Sequence, residues 1–174
     1  MAQGGQDIAN LVIVPVDANG NVSIYNNQGA PFVIADVFGY YRNDGGSGFT
    51  PLAPTRLLQP TPVGAGQTIS LDVTTGVVPS TTTAVVLNVT VSGADVPASP
   101  TAGLSYLSVT PGGGNSTSNL NFKDIVPGGG QDTANLVVVP VGGDGNVRIY
   151  NDKGNAYVIA DVFGYFGPEL GPPA

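Results

Sequence analysis

The chain has 174 residues, among them 26 glycines and 15 prolines, and it contains neither histidine nor cysteine. The lack of these two residue types excludes a Ser-His-Asp triad, a Cys-His dyad and any metal site built on imidazole or thiolate. The formal net charge is −7 with only five basic residues, which argues against nucleic acid as a partner, because a phosphate backbone requires clustered lysine and arginine. No apolar run approaches the roughly 20 residues of a membrane-spanning helix.

One stretch of the chain occurs twice. Residues 4–41 align with residues 129–166 without gaps, at a spacing of 125 positions, and 26 of the 38 aligned positions are identical. The differences are largely conservative or fall in turns. The fold must therefore be read as that of a duplicated unit.

Each copy has the pattern of a three-stranded antiparallel meander. In the first copy we predict strands at residues 11–16, 22–25 and 32–40. The dipeptide Asn19-Gly20 between the first two strands is typical of tight hairpin turns, because asparagine and glycine tolerate a positive φ. Alternation in the second strand places Val22 and Ile24 on its inward face.

The third strand of the first copy is apolar on both faces. At a period of two residues, Val33, Ala35 and Val37 share one face. The opposite face carries Phe32, Ile34, Asp36, Phe38 and Tyr40. We therefore predict that this strand is covered on both sides.

A change in composition separates two units. Residues 42–48 are polar and rich in glycine, as in flexible linkers, and a new unit begins at Phe49. Residues 83–122 form a weaker copy of the same three-strand pattern. The predicted divisions are an N-terminal half-repeat (1–42), a linker (43–48), a complete β-sandwich unit (49–167) and a C-terminal tail (168–174).

The predicted fold class is all-β, an antiparallel β-sandwich of the jelly-roll kind built from repeated three-stranded meanders. A three-fold arrangement of the meanders, as in a prism or trefoil, is the alternative. The predicted core consists of Leu57, Leu71, Val85, Leu87, Val89, Leu107, Val109, Leu120, Val137, Val139, Ile149, Ile159 and Phe163.

Several short motifs, taken together, resemble a bacterial domain family. They are Pro-Thr-Arg-Leu-Leu at residues 54–58, Ala-Val-Val-Leu-Asn-Val-Thr at 84–90, Ser-Asn-Leu-Asn-Phe at 118–122 and Ile-Ala-Asp-Val-Phe-Gly-Tyr at 159–165. In this order they resemble the repeat domains that end secreted and cell-surface proteins of actinobacteria and related bacteria. The resemblance covers residues 49–166 as one complete unit and residues 4–41 as the second half of a preceding one.

The resemblance implies an extracellular or cell-surface accessory module, and it brings no catalytic residues. The family commonly reads Arg-Leu-Leu-Asp-Thr-Arg where residues 56–61 are Arg-Leu-Leu-Gln-Pro-Thr, so any role of that aspartate and second arginine is lost. Met1 is followed by Ala-Gln-Gly-Gly, which lacks the basic and apolar segments of a signal peptide. We therefore expect this chain to be either an excised mature segment or a version of it made for expression.

Two structural polar contacts are predicted. Asp161 lies in an apolar strand, where an unpaired charge is costly to bury, and Arg56 is the partner we predict for it. Asn135 and its copy Asn10 stand at the start of apolar strands. We expect Asn135 to hydrogen-bond the backbone of a neighbouring loop, because buried amides use their donors and acceptors.

Two other groups of residues are candidates for ligand sites. Residues 17–21 and 144–146 are rich in side-chain oxygen but lack the further acidic ligands of a calcium loop, so we interpret them as hairpin turns. Tyr25 and Tyr150 lie opposite the inward residues of their strands, and exposed rings of this kind contact sugars in carbohydrate-binding modules.

These observations predict a protein without catalytic, metal or cofactor sites. The favoured function is a structural or adhesive extracellular module that associates with itself, because residues 4–41 form a half-repeat too small to be stable alone. This half could dock on its own chain or exchange with residues 129–166 of a neighbour. The alternative is a carbohydrate-binding module of a secreted hydrolase, with a cell-wall or polysaccharide surface as its partner.

Overall fold

The computed structural model of the protein describes residues 8–41, 46–96, 103–123 and 132–168. Within these ranges the chain forms eight strands and no helix. The strands are β1 (Gly48–Val63), β2 (Thr68–Asp72), β3 (Ala84–Asp95), β4 (Leu104–Thr110), β5 (Leu120–Lys123), β6 (Thr133–Pro140), β7 (Asn146–Asn151) and β8 (Asn155–Gly167).

The strands form two antiparallel sheets of four strands each. One sheet has the order β1-β8-β3-β6, and the other has the order β2-β7-β4-β5. This is the strand order of an eight-stranded jelly roll, in which every connection except that between β4 and β5 crosses from one sheet to the other. The predicted all-β sandwich is confirmed, and the three-fold alternative is wrong for the described residues.

The second copy of the repeat does not form a meander. Its strands β6, β7 and β8 make no ladder with one another: β6 pairs with β3, β7 pairs with β2 and β4, and β8 pairs with β1 and β3. The prediction of three mutually paired strands is wrong because each turn of the repeat carries the chain across to the opposite sheet. A turn dipeptide such as Asp144-Gly145 reverses the chain, but it does not determine which sheet the next strand joins.

The first copy of the repeat forms no strand within residues 8–41, so the three strands predicted there are also wrong for this structure. Its local structure consists of hydrogen-bonded turns at residues 17–20 and 26–29, and nearly all of its side chains are exposed. The reason follows from the pairing of the second copy. Every ladder partner that this sequence uses lies in β1, β2, β3 or β4, and β6–β8 already occupy those partners.

The core between the sheets is built mainly from valine and leucine at alternate strand positions. In β3, Val85, Leu87, Val89 and Val91 are fully buried. This is expected, because β3 lies between β8 and β6 in the middle of its sheet and packs one face on the core. Eleven of the thirteen predicted core residues are buried or pack against the core.

Ile159 and Phe163 were wrongly assigned to the core. The buried set of β8 is Val158, Ala160 and Val162, whereas Phe163 remains 37% exposed. Both faces of this strand are apolar, so alternation alone could not identify the inner one. The expectation that residues 32–40 are covered on both sides is wrong, because these residues are nearly all exposed, and the outer face of their counterpart β8 is itself only partly buried.

Candidate functional site

Arg56 and Asp161 lie directly opposite each other on β1 and β8. The Arg56 Nε donates to Asp161 Oδ1 at 2.5 Å and its Nη2 donates to Oδ2 at 3.2 Å, which makes the pair bidentate. The hydrogen bond with Asp161 raises the pKa of the Arg56 guanidinium above its ordinary value. The side chains are 39% and 20% exposed. The pair thus joins an edge strand to its neighbour on the outer face of a sheet.

Asn135 connects β6 to the segment before β5. Its Nδ2 donates to the backbone carbonyl of Asn119 at 2.7 Å. Asn119 is itself buried, and its side-chain oxygen accepts from the backbone N–H of Val109 at 2.7 Å. The equivalent residue of the first copy, Asn10, is exposed.

The sequence reasoning missed a second buried amide, Asn151 at the end of β7. Its Nδ2 donates to the carbonyls of Val63 at 2.9 Å and Gly154 at 3.0 Å, and its Oδ1 accepts from Ser105 Oγ at 3.3 Å. Asn151 therefore links three separate parts of the chain. The available signal was an asparagine that both copies place three residues before a turn glycine, as Asn26 before Gly29 and Asn151 before Gly154.

The oxygen-rich turns use their carboxylates internally. Asp17 Oδ1 accepts from the backbone N–H groups of Asn19 and Asn21, each at 2.8 Å, and these bonds, first that from Asn21, lower the pKa of Asp17. The hydrogen bond from Arg148 lowers the pKa of Asp144. Over the described ranges, no three acidic, histidine or cysteine side chains come together as a metal cluster. These residues hold turns in the geometry expected of them.

The two tyrosines predicted as candidate sugar contacts have different neighbours. The Tyr150 ring lies 6.3 Å from the Tyr106 ring, tilted by 51°, whereas Tyr25 is 85% exposed and donates its hydroxyl hydrogen bond to Asn27. Burial raises the pKa of Tyr106. A shallow pocket of about 190 Å³ adjoins this ring and is lined by Leu104, Ser105, Tyr106, Asn121, Phe122, Asp152 and Lys153.

The most extensive interaction surface is the one that β6–β8 fill. We call strands β1–β5 the acceptor, strands β6–β8 (residues 133–167) the C-terminal segment, and the place of the C-terminal segment on the acceptor the slot. Ten side chains of the C-terminal segment are buried in the slot: Val137, Val139, Val147, Ile149, Asn151, Ala156, Val158, Ala160, Val162 and Tyr165.

Residues 8–41, the N-terminal segment, carry nearly the same set of side chains. At the ten positions buried in the C-terminal segment, nine residues are identical, and the exception is Pro31 in place of Ala156. In the N-terminal segment these side chains face water. Of the 19 large hydrophobic residues that are exposed in the described chain, 14 lie there, with Phe32 95% and Val37 88% exposed.

No protein-family model and no curated protein matches this chain. The described residues include no helix that could cross a membrane. Function must therefore be inferred from the chain's own geometry, and above all from the relation between its two nearly identical segments.

We predict that Asp161→Asn lowers the urea midpoint of unfolding, because it removes the charged acceptor of the bidentate Arg56 pair. The loss should be smaller than that caused by Leu87→Ala in the core, since the pair is partly exposed and screened by water. Asp36→Asn is the matched control, because Asp36 has the same local sequence but lies in the unpaired segment. An equal loss from both asparagine variants would contradict this assignment.

Proposed function

We propose that the protein is a non-enzymatic structural or adhesive module that associates with copies of itself through the N-terminal segment. The observation that carries the proposal is the identity of nine of the ten buried positions between a segment in water and a segment in the core. Each large apolar side chain that becomes buried contributes about 1.5–3 kcal/mol. The exposed segment is therefore costly to leave in water and suited to one specific surface.

That surface is the slot of another copy. The N-terminal segment has the residues that pair with β1–β4, and a second molecule presents the same acceptor. Entry would displace the C-terminal segment of that molecule, which carries the same apolar set and can continue the association. Donor and acceptor are different surfaces, so such a contact does not need to close and can propagate into a fibre.

Other features support a role without catalysis. Three aspartates of the described residues already have structural partners. Asp17 accepts a hydrogen bond from the backbone of its own turn, and Asp144 and Asp161 each form an ion pair with an arginine. The pocket beside Tyr106 has a volume of about 190 Å³, which is below the roughly 300–1,000 Å³ of typical ligand sites. The resemblance to repeat domains of secreted bacterial proteins supports an extracellular or cell-surface location, with a cell wall or polysaccharide as the neighbouring surface.

The expected result in light scattering is a mean mass that rises with the concentration of the full chain. Val33→Asp should abolish this rise, because Val33 is the equivalent of the fully buried Val158. Ile34→Asp is the matched control: its equivalent, Ile159, lies on the outer face of β8, so this variant should still associate.

A version beginning at Phe49 keeps both sheets and should remain a monomer. A full chain that stays monomeric over the same concentrations would contradict the proposal. Equal suppression by Val33→Asp and Ile34→Asp would contradict entry into the slot, since only one of the two positions faces the core.

The second candidate function is carbohydrate binding, favoured by the paired rings of Tyr106 and Tyr150 beside a pocket with Asp152 and Lys153. Stacked or edge-on tyrosines combined with adjacent polar groups suit a sugar ring. On a polysaccharide array, Tyr150→Ala should then remove a signal that Tyr25→Ala leaves intact. Absence of any reproducible signal from the parent protein would eliminate this candidate.

A further inference from the structure

We infer that the N-terminal and C-terminal segments are alternative occupants of one slot within a single chain. In one folded state the C-terminal segment fills the slot and the N-terminal segment is free. In the other state the N-terminal segment fills the slot of its own acceptor and the C-terminal segment is released. This inference rests on the proposed pairing of residues 8–41 with the acceptor, and adds that the pairing needs no second molecule.

The register of β1 and β8 makes the exchange possible within one chain. Phe49 of β1 lies opposite Phe166 of β8, and Gly48 lies opposite Gly167. Tyr41 is the equivalent of Phe166, so in the exchanged state Tyr41 would lie beside Phe49. Opposed residues in an antiparallel ladder are only about 5 Å apart, and the seven residues 42–48 can span about 25 Å when extended.

The N-terminal segment already lies at this end of the sandwich. The ring of Tyr41 is 5.9 Å from the ring of Phe166, which in turn is 5.1 Å from the ring of Phe49. The exchanged chain would thus be a circular permutant of the unit, in which the eighth strand precedes the first and joins it through a hairpin.

Both turns of the N-terminal segment have the hydrogen bonds of their counterparts. Asp17 N–H donates to the Asn21 carbonyl at 3.0 Å, as Gly142 N–H donates to the Asn146 carbonyl at 2.8 Å. In the second turn, Asn26 Nδ2 donates to the Gly29 carbonyl at 3.0 Å, and the corresponding bond from Asn151 to Gly154 has the same length. Both reversals of the chain are therefore present in this segment without the acceptor.

The slot also requires glycine at particular positions. A Cβ would lie 2.5 Å from Thr74 Oγ1 at Gly145, 2.3 Å from the Asp95 carbonyl oxygen at Gly154 and 2.5 Å from the Phe49 ring at Gly164. The N-terminal segment has glycine at all three equivalent positions, which are Gly20, Gly29 and Gly39. Its sequence therefore meets the tightest steric requirements of the slot.

Two differences favour the C-terminal segment as the resting occupant. Pro31 replaces Ala156, which lies opposite Val63, and proline has no N–H to donate to a ladder. Asp17 replaces Gly142, where a Cβ would lie 2.9 Å from the Pro111 carbonyl oxygen. Both lie at or outside strand ends, so they weaken the N-terminal segment as an occupant without closing the slot to it.

The test uses the full chain and trypsin. The N-terminal segment contains no lysine or arginine. Trypsin can cleave after all five basic residues of the chain, of which Arg42 lies in the linker, Lys123 at the end of β5 and Lys153 between β7 and β8. The two informative sites are Arg56 in β1 of the acceptor and Arg148 in β7 of the C-terminal segment. Cleavage after Arg148 therefore reports release of the C-terminal segment, and cleavage after Arg56 reports unfolding of the acceptor, because proteolysis follows the population of the opened form.

Val158→Asp places a carboxylate in the core and disables the C-terminal segment as an occupant. We expect this variant to be cut rapidly after Arg148 while Arg56 stays protected. The double variant Val33→Asp/Val158→Asp should be cut rapidly at both sites. Val33→Asp alone, whose C-terminal segment still fills the slot, should be cut after Arg56 and Arg148 as slowly as the parent chain in dilute solution. Equal and rapid cleavage after Arg56 in the single Val158→Asp variant and the double variant would overturn the inference.

Concentration separates exchange within a chain from exchange between chains. Protection of Arg56 in Val158→Asp should be the same in dilute monomer and in concentrated solution. Protection that arises only in oligomers would overturn the inference but leave the proposed self-association intact. If instead the mean mass of the parent chain does not rise with concentration, while Arg56 is protected in the Val158→Asp monomer, the proposed self-association would be overturned and the exchange within one chain would stand.

A milder pair of variants guards against general misfolding. Ile149→Ala and Ile24→Ala truncate equivalent side chains, of which the first is fully buried and the second exposed. The double variant Ile24→Ala/Ile149→Ala should lower the melting temperature by roughly 10 °C. We expect Ile149→Ala alone to lower it by less, because the intact N-terminal segment can replace the damaged occupant. Equal decreases in melting temperature for Ile149→Ala and for Ile24→Ala/Ile149→Ala would also overturn the inference.

Discussion

The fold depends on one constraint, which is that the strands of the repeat have no partners within the repeat. Each turn of residues 133–167 crosses between the sheets, so β6, β7 and β8 find all their ladder partners in β1–β4. A segment of this kind cannot order its strands by itself. The same sequence is therefore a set of core strands at one end of the chain and an unpaired, apolar segment at the other.

Local sequence patterns were sufficient for the fold class and for much of the core. Alternation identified the buried residues of β3 and β4, and the isolation of Asp161 in an apolar strand pointed to Arg56. The partners of each strand could not be derived in this way, because Asp144-Gly145 marks a reversal without specifying the sheet that follows. The inner face of β8 was equally hidden, since Ile159 and Phe163 are as apolar as Val158 and Val162.

The candidate site was also only partly visible in the sequence. The duplication indicated two equivalent segments, and the pairing of β6–β8 with β1–β4 is the basis of our proposal that they compete for one slot. In that proposal, two small differences, Pro31 against Ala156 and Asp17 against Gly142, favour the C-terminal segment as the occupant. Their effect can be judged only once the neighbours of Ala156 and Gly142 are known. In the proposed exchange each chain would have two donor segments and one acceptor, so one donor would remain free in either state.

A disulfide between two introduced cysteines would report entry of the N-terminal segment into the slot, and the chain has no native cysteine to interfere. Arg56 lies opposite Asp161, at a spacing that suits a disulfide, and the equivalent of Asp161 is Asp36. We expect Arg56→Cys/Asp36→Cys to form a disulfide under oxidising conditions, whereas Arg56→Cys/Val37→Cys, whose second cysteine would face the core, should not. The Arg56→Cys/Asp161→Cys pair provides the positive control. Complete oxidation of that control with no disulfide between positions 36 and 56, within or between chains, would contradict the account.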